Sequence, residues 1–350
     1  MANIIIPPGW RIPEREATPE SVYFNRRAFL RSAGLGIAAV GVGACGSEFI
    51  PNPTEAVPTV LKGCDETTTY PLQPICVSPN MGLYPATRNA AYEVPERDQT
   101  ERIQAARYNN FYEFIGVVGE WNYVWPYVGP FTVWPWTVEV TGEAEVTGIF
   151  DISDFETEFG LEERLYRHRC VERWSMVVPW TGYPLAKLLQ KFKPLSSANY
   201  VRFVSFDRPD EAIGQRIQPQ LPWPFFEALR LDEAMNELAF VVTGVYGEPL
   251  PKQHGAPWRL AIPWKYGYKS PKSIVRIEFT REQPPTFWTT ITPNEYGFYS
   301  NVNPFVSHPR WAQNKDLPLG TTLQLDTMIF NGYESYVSDL YEPSVMTHIS

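Results

Sequence analysis

Apolar positions along the chain fall into short runs closed by turn residues, not into long stretches of helical period. The stretch 136–142 (Trp-Thr-Val-Glu-Val-Thr-Gly) predicts a strand ending in a turn. At 152–155 (Ile-Ser-Asp-Phe) a helix is expected to begin, with Ser153 as its cap and Phe155 facing inward. Residues 165–170 alternate as a strand would, diluted by charge, and 183–189 (Tyr-Pro-Leu-Ala-Lys-Leu-Leu) predicts a short amphipathic helix. Strands are expected at 200–206 and 239–243, and 258–263 with 273–279 predicts a further pair. Strands and short helices mix without regular βαβ spacing, which predicts an α+β fold, and no internal repeat is visible.

Composition sharpens this picture. The 350 residues carry 34 Pro, 23 Gly and 51 aromatic side chains (12 Trp, 19 Tyr, 20 Phe), a load suited to ordered turns and a large aromatic core. It equally suits the walls of a site for a flat organic cofactor. The net charge of −9 argues against a nucleic-acid footprint. Four cysteines occur without any CxxC or CxxCH spacing, so a structural zinc site and a covalent haem are both unsupported.

Residues 1–45 read as an address. Arg26-Arg27-Ala28-Phe29-Leu30 precedes an uncharged, Gly-dotted run at 32–47, the arrangement of a twin-arginine export signal. The run falls short of the roughly 20 apolar residues a membrane span needs. Val42-Gly43-Ala44-Cys45 resembles a lipobox, so Cys45 is a candidate lipid anchor in the periplasm, the alternative being ordinary cleavage beside Ala44. That export route carries folded proteins, which fits a chain loaded with a prosthetic group before export. Residues 46–107 read as a Pro-rich extended arm. Within it Cys64 and Cys76, with eleven residues between them, would stabilise by about 2–3 kcal/mol if they closed a disulfide, or would stay two thiols. Residues 108–350 form the expected main folded domain.

Within that domain Cys170 draws attention because Arg167, His168, Arg169 and Arg173 surround it in sequence. Cationic neighbours favour a thiolate, the form that ligates metal or attacks a substrate. Three fates compete on the residues alone: a structural buried thiol, a nucleophile paired with His168, and a single-thiolate metal ligand.

The run 161–185 (Leu-Glu-Glu-Arg-Leu-Tyr-Arg-His-Arg-Cys-Val-Glu-Arg-Trp-Ser-Met-Val-Val-Pro-Trp-Thr-Gly-Tyr-Pro-Leu) resembles the bacterial periplasmic methionine sulfoxide reductases of the sulfite oxidase superfamily. Blocks at 108–114, 231–235, 247–251, 255–259, 263–272, 294–304 and 308–311 extend the resemblance in order, from about residue 15 to 335. The resemblance implies a sulfite-oxidase-like fold of mixed sheets and short helices. It implies a molybdenum–molybdopterin cofactor, with Cys170 as the metal's protein ligand and the centre of catalysis. Contacts to the pterin are implied for Asn109, Tyr112, Glu113, Ser205, His254, Arg259, Ser270, Pro271 and Lys272. Arg259 as a fork and Lys272 as a point charge suit a phosphate. His254 and Ser205 stand where close relatives carry Asn and Thr, and both replacements keep hydrogen-bonding capacity. The implied reaction is reduction of methionine sulfoxide, free or on oxidised envelope proteins. Electrons would come from a haem-containing membrane subunit, with this chain as the monomeric partner of that subunit. A sulfite dehydrogenase, with Arg169 and Arg173 helping to bind the dianion, and a metal-free secreted binding protein are the competing readings. The aromatic stretch 118–130 suits a site mouth, a docking patch or plain loop packing.

Overall fold

The computed structural model describes residues 78–115 and 124–342, all within the second of the two units into which the chain divides, Met1–Ile50 and Pro51–Ser350. The twin-arginine segment, Cys45, Cys64, Cys76 and residues 116–123 lie outside the described residues.

Two mixed sheets carry the architecture. One takes strands β1 (Thr137–Gly142), β2 (Gly148–Asp151), β5 (Tyr200–Ser205), β6 (Phe226–Arg230) and β10 (Ile274–Thr280), in the order β2-β1-β10-β5-β6. The other is built on β4 (Trp174–Pro184), flanked by β3 (Glu162–Arg169) on one side. Its other side pairs first with β11 (Lys315–Pro318) and then with β7 (Phe240–Val245). The two-residue strand β8 (Glu248–Pro249) and β9 (Arg259–Ala261) add to β7, and β12 (Leu325–Asp326) adds to β11. Short helices fill the gaps: α1 (Arg102–Arg107), α2 (Tyr112–Ile115), α3 (Ile152–Phe159) and α4 (Leu185–Phe192) come first in the chain. This is the α+β arrangement that the mixed runs predict.

The element predictions meet three differences. α3 is capped by Asp151, whose carboxylate accepts from the Ser153 amide at 2.9 Å, so Ser153 lies two residues too deep to cap. The strands at 258–263 and 273–279 do not pair with each other as ladders; β9 joins β7 and β10 joins β1 and β5. β4 has no alternation to find, because all but its last residue are buried. A strand covered on both faces reads as one apolar run.

α4 buries Leu185, Leu188, Leu189 and Phe192, an i, i+3, i+4, i+7 stripe, and ends at Lys193 in the left-handed region (φ 51°). Before α1, residues 78–100 lie along the second sheet. Asn89 donates to the Glu163 carbonyl at 2.7 Å, and Glu163 donates back to Thr87 at 2.9 Å. The Thr100 amide donates to Val177 at 2.9 Å. The free edge of β3 is thereby covered, which blunts an otherwise sticky strand. Of the aromatic stretch, Val124, Pro126 and Val128 are buried, which is loop packing.

Candidate active site

Cys170 sits on the tight turn between β3 and β4. Its amide donates to the Trp174 carbonyl at 2.9 Å and its carbonyl accepts from Arg173 at 3.0 Å, with Arg173 held at a φ of 76°. The turn is clamped from beneath. Trp311 Nε1 and Gln313 Nε2 each donate to the Val171 carbonyl at 2.8 Å. Arg169, wholly buried, donates to the Cys170 carbonyl and to Gln313 Oε1, and lies 3.7 Å from Asp316. Its guanidinium therefore braces the backbone. Arg167 spends its charge on Glu96 and the Asn331 carbonyl. Two of the cations adjacent in sequence are thus committed to scaffolding.

Donors approach the sulfur from elsewhere. Asn110 Nδ2 lies 3.6 Å from Cys170 Sγ and 3.1 Å from Glu172 Oε2, and the Glu172 amide points at the same sulfur from 3.4 Å. Asn110, Glu172, Trp311 and Gln313 were not singled out as site residues from sequence, and Arg169, read there as a possible anion-binding group, instead braces the turn. The adjacent asparagines at 109–110 were the only available signal for Asn110, and they do not say which one turns towards the sulfur.

Around this turn the fold gathers a second cluster from the loop 254–272. Arg259 is buried with its guanidinium on three neutral carbonyls, those of Leu260, His254 and Ser270 (3.0, 3.0 and 3.4 Å), above the Trp180 ring at 5.2 Å. Burial lowers its pKa to about 9. Lys272 donates its Nζ to the Asn110 carbonyl and lies 4.5 Å above the Phe111 ring. Burial, with Arg259 close by, lowers its pKa to about 7, against the pull of Glu113 and Cys170. Burial raises Glu113, on α2, to about 7, while Lys272 draws it down. His254 is buried, edge-on to Trp180 at 6.1 Å, with Nδ1 unpartnered; burial and the charges of Arg259 and Lys272 hold its pKa at about 3. His168 is held neutral by burial and by the same two cations. Two glycines make room: a Cβ on Gly267 would meet His168 Nε2 at 2.7 Å. One on Gly255, itself at φ 102°, would meet the Lys272 Cβ at 2.6 Å.

The residues expected to contact a pterin are therefore not equivalent. Cys170, Glu113, His254, Arg259 and Lys272 converge. Ser205 spends its hydroxyl proton on the Lys272 carbonyl at 2.7 Å, so it positions that lysine. Ser270 Oγ accepts from the Ile262 amide at 3.1 Å, and the Pro271 carbonyl accepts from Leu260 at 3.0 Å, which holds the loop onto β9. Asn109 caps α1 through the Ala106 carbonyl at 2.8 Å. Tyr112 packs edge-on against Trp288 at 5.5 Å.

This set fits an anionic group carrying its own metal. Among the described residues neither Arg259 nor Lys272 forms an ion pair with a carboxylate, and a buried cation without a counter-charge is costly. The His254 Nδ1 is a buried polar atom without a described partner. No three of His, Cys, Asp or Glu among the described residues group to cage a metal. A pterin dithiolene would bring its own ligands to a metal at Cys170.

Fold and site together define a molybdopterin-binding oxidoreductase. The family model described as an oxidoreductase molybdopterin binding domain matches residues 128–288, which span Cys170 and Lys272. The protein-methionine-sulfoxide reductase catalytic subunit of Pseudomonas syringae pv. tomato is 42% identical over 337 residues, 94% of each chain. Its counterpart in Burkholderia mallei is 42% identical over 336 residues, covering 94% of this chain and 93% of its own. The chain belongs to this family of methionine-sulfoxide reductase catalytic subunits. The sulfane dehydrogenase SoxCD of Paracoccus pantotrophus, 16% identical, superposes on 42% of this chain and 38% of its own at a TM-score of 0.35, too slight to carry an argument.

Proposed function

We propose that the chain reduces methionine sulfoxide on proteins of the cell envelope, using a molybdenum–pterin group held at Cys170 and electrons from a haem-containing membrane partner. The observation that carries this reading is the thiol on a braced turn beside Arg259 and Lys272, neither of which forms an ion pair with a carboxylate among the described residues. It occurs in a chain similar over nearly its whole length to sulfoxide reductases. When bound, the group supplies oxygen-atom acceptance from a sulfoxide and the two-electron chemistry that resets it.

The chain's own residues supply position and charge. Cys170 Sγ would hold the metal, fixed because Arg169, Trp311 and Gln313 leave the turn no slack. Arg259 and Lys272 would take the pterin's anionic part, which would restore the lysine to its charged form. His254 Nδ1 would meet the cofactor's polar edge as a neutral imidazole. Glu113, buried and raised to about 7, can keep its proton near neutrality and so avoids quenching Lys272. Arg169 is already committed to the Cys170 carbonyl and Gln313, so the cationic pocket that a sulfite dianion requires loses one of its two candidate arginines.

The location rests on Arg26-Arg27-Ala28-Phe29-Leu30 and the uncharged run after it, with Cys45 as a candidate lipid anchor. Among the described residues no helix is long and apolar enough to cross a membrane. The external electron donor is supported by the absence of any CxxCH in the sequence, and quinol-driven turnover with the membrane partner present tests it.

Molybdenum content, measured on wild type and Cys170→Ser with methionine sulfoxide, sulfite and a redox dye as assay partners, tests the whole reading. Near-stoichiometric metal with sulfoxide reduction in the wild type, and loss of that activity in the variant, is the expected result. A metal-free wild type from a cofactor-competent host would overturn it, and sulfite oxidation in place of sulfoxide reduction would move the substrate.

A further inference from the structure

We infer that Asn110 is a positioning residue for the reaction: its side-chain amide sets the electron density on the Cys170 sulfur and thereby raises the reduction potential of the metal. The inference rests on the reading that Cys170 is the metal's protein ligand.

Two N–H groups of the described residues reach the sulfur by different routes. The Glu172 amide, 3.4 Å away, belongs to the same turn and follows from the local fold. The Asn110 amide, 3.6 Å away, comes from a segment sixty residues earlier and has to be delivered by tertiary structure. Three bonds deliver it. Lys272 Nζ holds the Asn110 carbonyl, Glu172 Oε2 takes the second share of the Asn110 amide at 3.1 Å, and the preceding Asn109 ties the segment to the end of α1 at 2.8 Å. One residue therefore joins the lysine that would anchor the cofactor's anion to the thiolate that would ligate its metal.

A donor hydrogen bond draws charge from a ligating sulfur, which stabilises the reduced metal more than the oxidised one. The side chain and the backbone of Asn110 have separate duties: substitution of the side chain removes the donor delivered by tertiary structure and leaves the carbonyl that Lys272 grips.

Redox titration of the molybdenum-loaded enzyme, followed by the paramagnetic resonance of the half-reduced metal, tests this on Asn110→Ala and Asn110→Asp. Both variants are expected to keep metal within about twofold of wild type. Their midpoint potentials should fall in the order wild type, Asn110→Ala, Asn110→Asp, since the second replaces a donor by an acceptor, and the resonance should move with them. A residue that merely filled space would lower the melting temperature and the metal content together and leave the potential of the loaded fraction unchanged. Equal potentials in wild type and Asn110→Ala overturn the inference. So does a folded Asn110→Ala protein that takes up no molybdenum, because the side chain would then serve loading and not tuning. A wild type without molybdenum would instead remove the function on which the inference stands.

Discussion

Lys272 shows how far a single side chain depends on what surrounds it. In sequence it is a lysine in a Ser-Pro-Lys turn, the kind normally solvated. In the fold it lies over Phe111, bonds the Asn110 carbonyl, and has its pKa drawn down to about 7. Because its charged form is disfavoured when buried, Lys272→Met should melt at or above the wild-type temperature in cofactor-free protein at pH 7. The same variant should load much less molybdenum. A clear fall in the cofactor-free melting temperature would show that the lysine serves the scaffold and not a ligand. Cys170 taught the complementary lesson: its neighbours in sequence suggested an electropositive thiol, yet Arg167 and Arg169 turn out to brace chain segments, and the groups facing the sulfur come from Asn110 and the Glu172 amide. Spacing along a strand says which face a residue takes, not which partner captures its far end.

Among the elements, α4 was legible because its apolar positions follow the helical period and its start follows a proline. Its stripe is wholly buried, so Leu189→Ala should cost about 2–5 kcal/mol, read as a shift in the denaturation midpoint at constant slope. β1, β5, β7, β9 and β10 were legible as short apolar runs. β4 is not legible as a strand, because one buried on both faces loses the alternation that marks strands. The pairing of β9 with β7, and of β10 with β1 and β5, was beyond local pattern: both segments are good strands, and which sheet each joins depends on contacts far away in the chain.

At the scale of the molecule, the segment before α1 is fastened to the second sheet and to α3 at both ends. Asn80 Nδ2 donates to the Ser153 carbonyl at 2.9 Å and to Glu156 Oε2 at 2.8 Å, and Tyr84 donates to Thr243 at 2.7 Å. Burial raises Glu156 to about 7, with Asp151 adding to the rise and the Asn80 amide opposing it. The sign follows from a folded pKa above the unfolded value of 4.5: this group's contribution is present below pH 4.5 and is lost as pH climbs towards 7. Glu156→Gln keeps an acceptor for Asn80 without the charge. It should gain on the wild type by up to about 3 kcal/mol as pH rises from 4.5 to above 7, with the gap closing at acid pH. Denaturant titrations of both proteins across that range measure the gap, and parallel curves would mean that Glu156 stays solvated enough to ionise freely.

Local chemistry, which travels with the sequence, determined much of this protein: short strands and helices, the cysteine on a strand's end, Arg259 and Lys272 among the four cations of segment 254–272, and the ordered blocks that mark its family. These depend on residue type and on neighbours a few positions away. Only the tertiary structure decided that Asn109 caps a helix while Asn110 faces the sulfur, that Ser205 serves Lys272, and that the buried Arg259 spends its guanidinium on neutral carbonyls while the half-buried Lys272 lies over Phe111 within the pull of Glu113. The physical reason is that charge balance and hydrogen-bond satisfaction are properties of a place in space, and residues 110, 170 and 272 come to share one place only when the chain is folded.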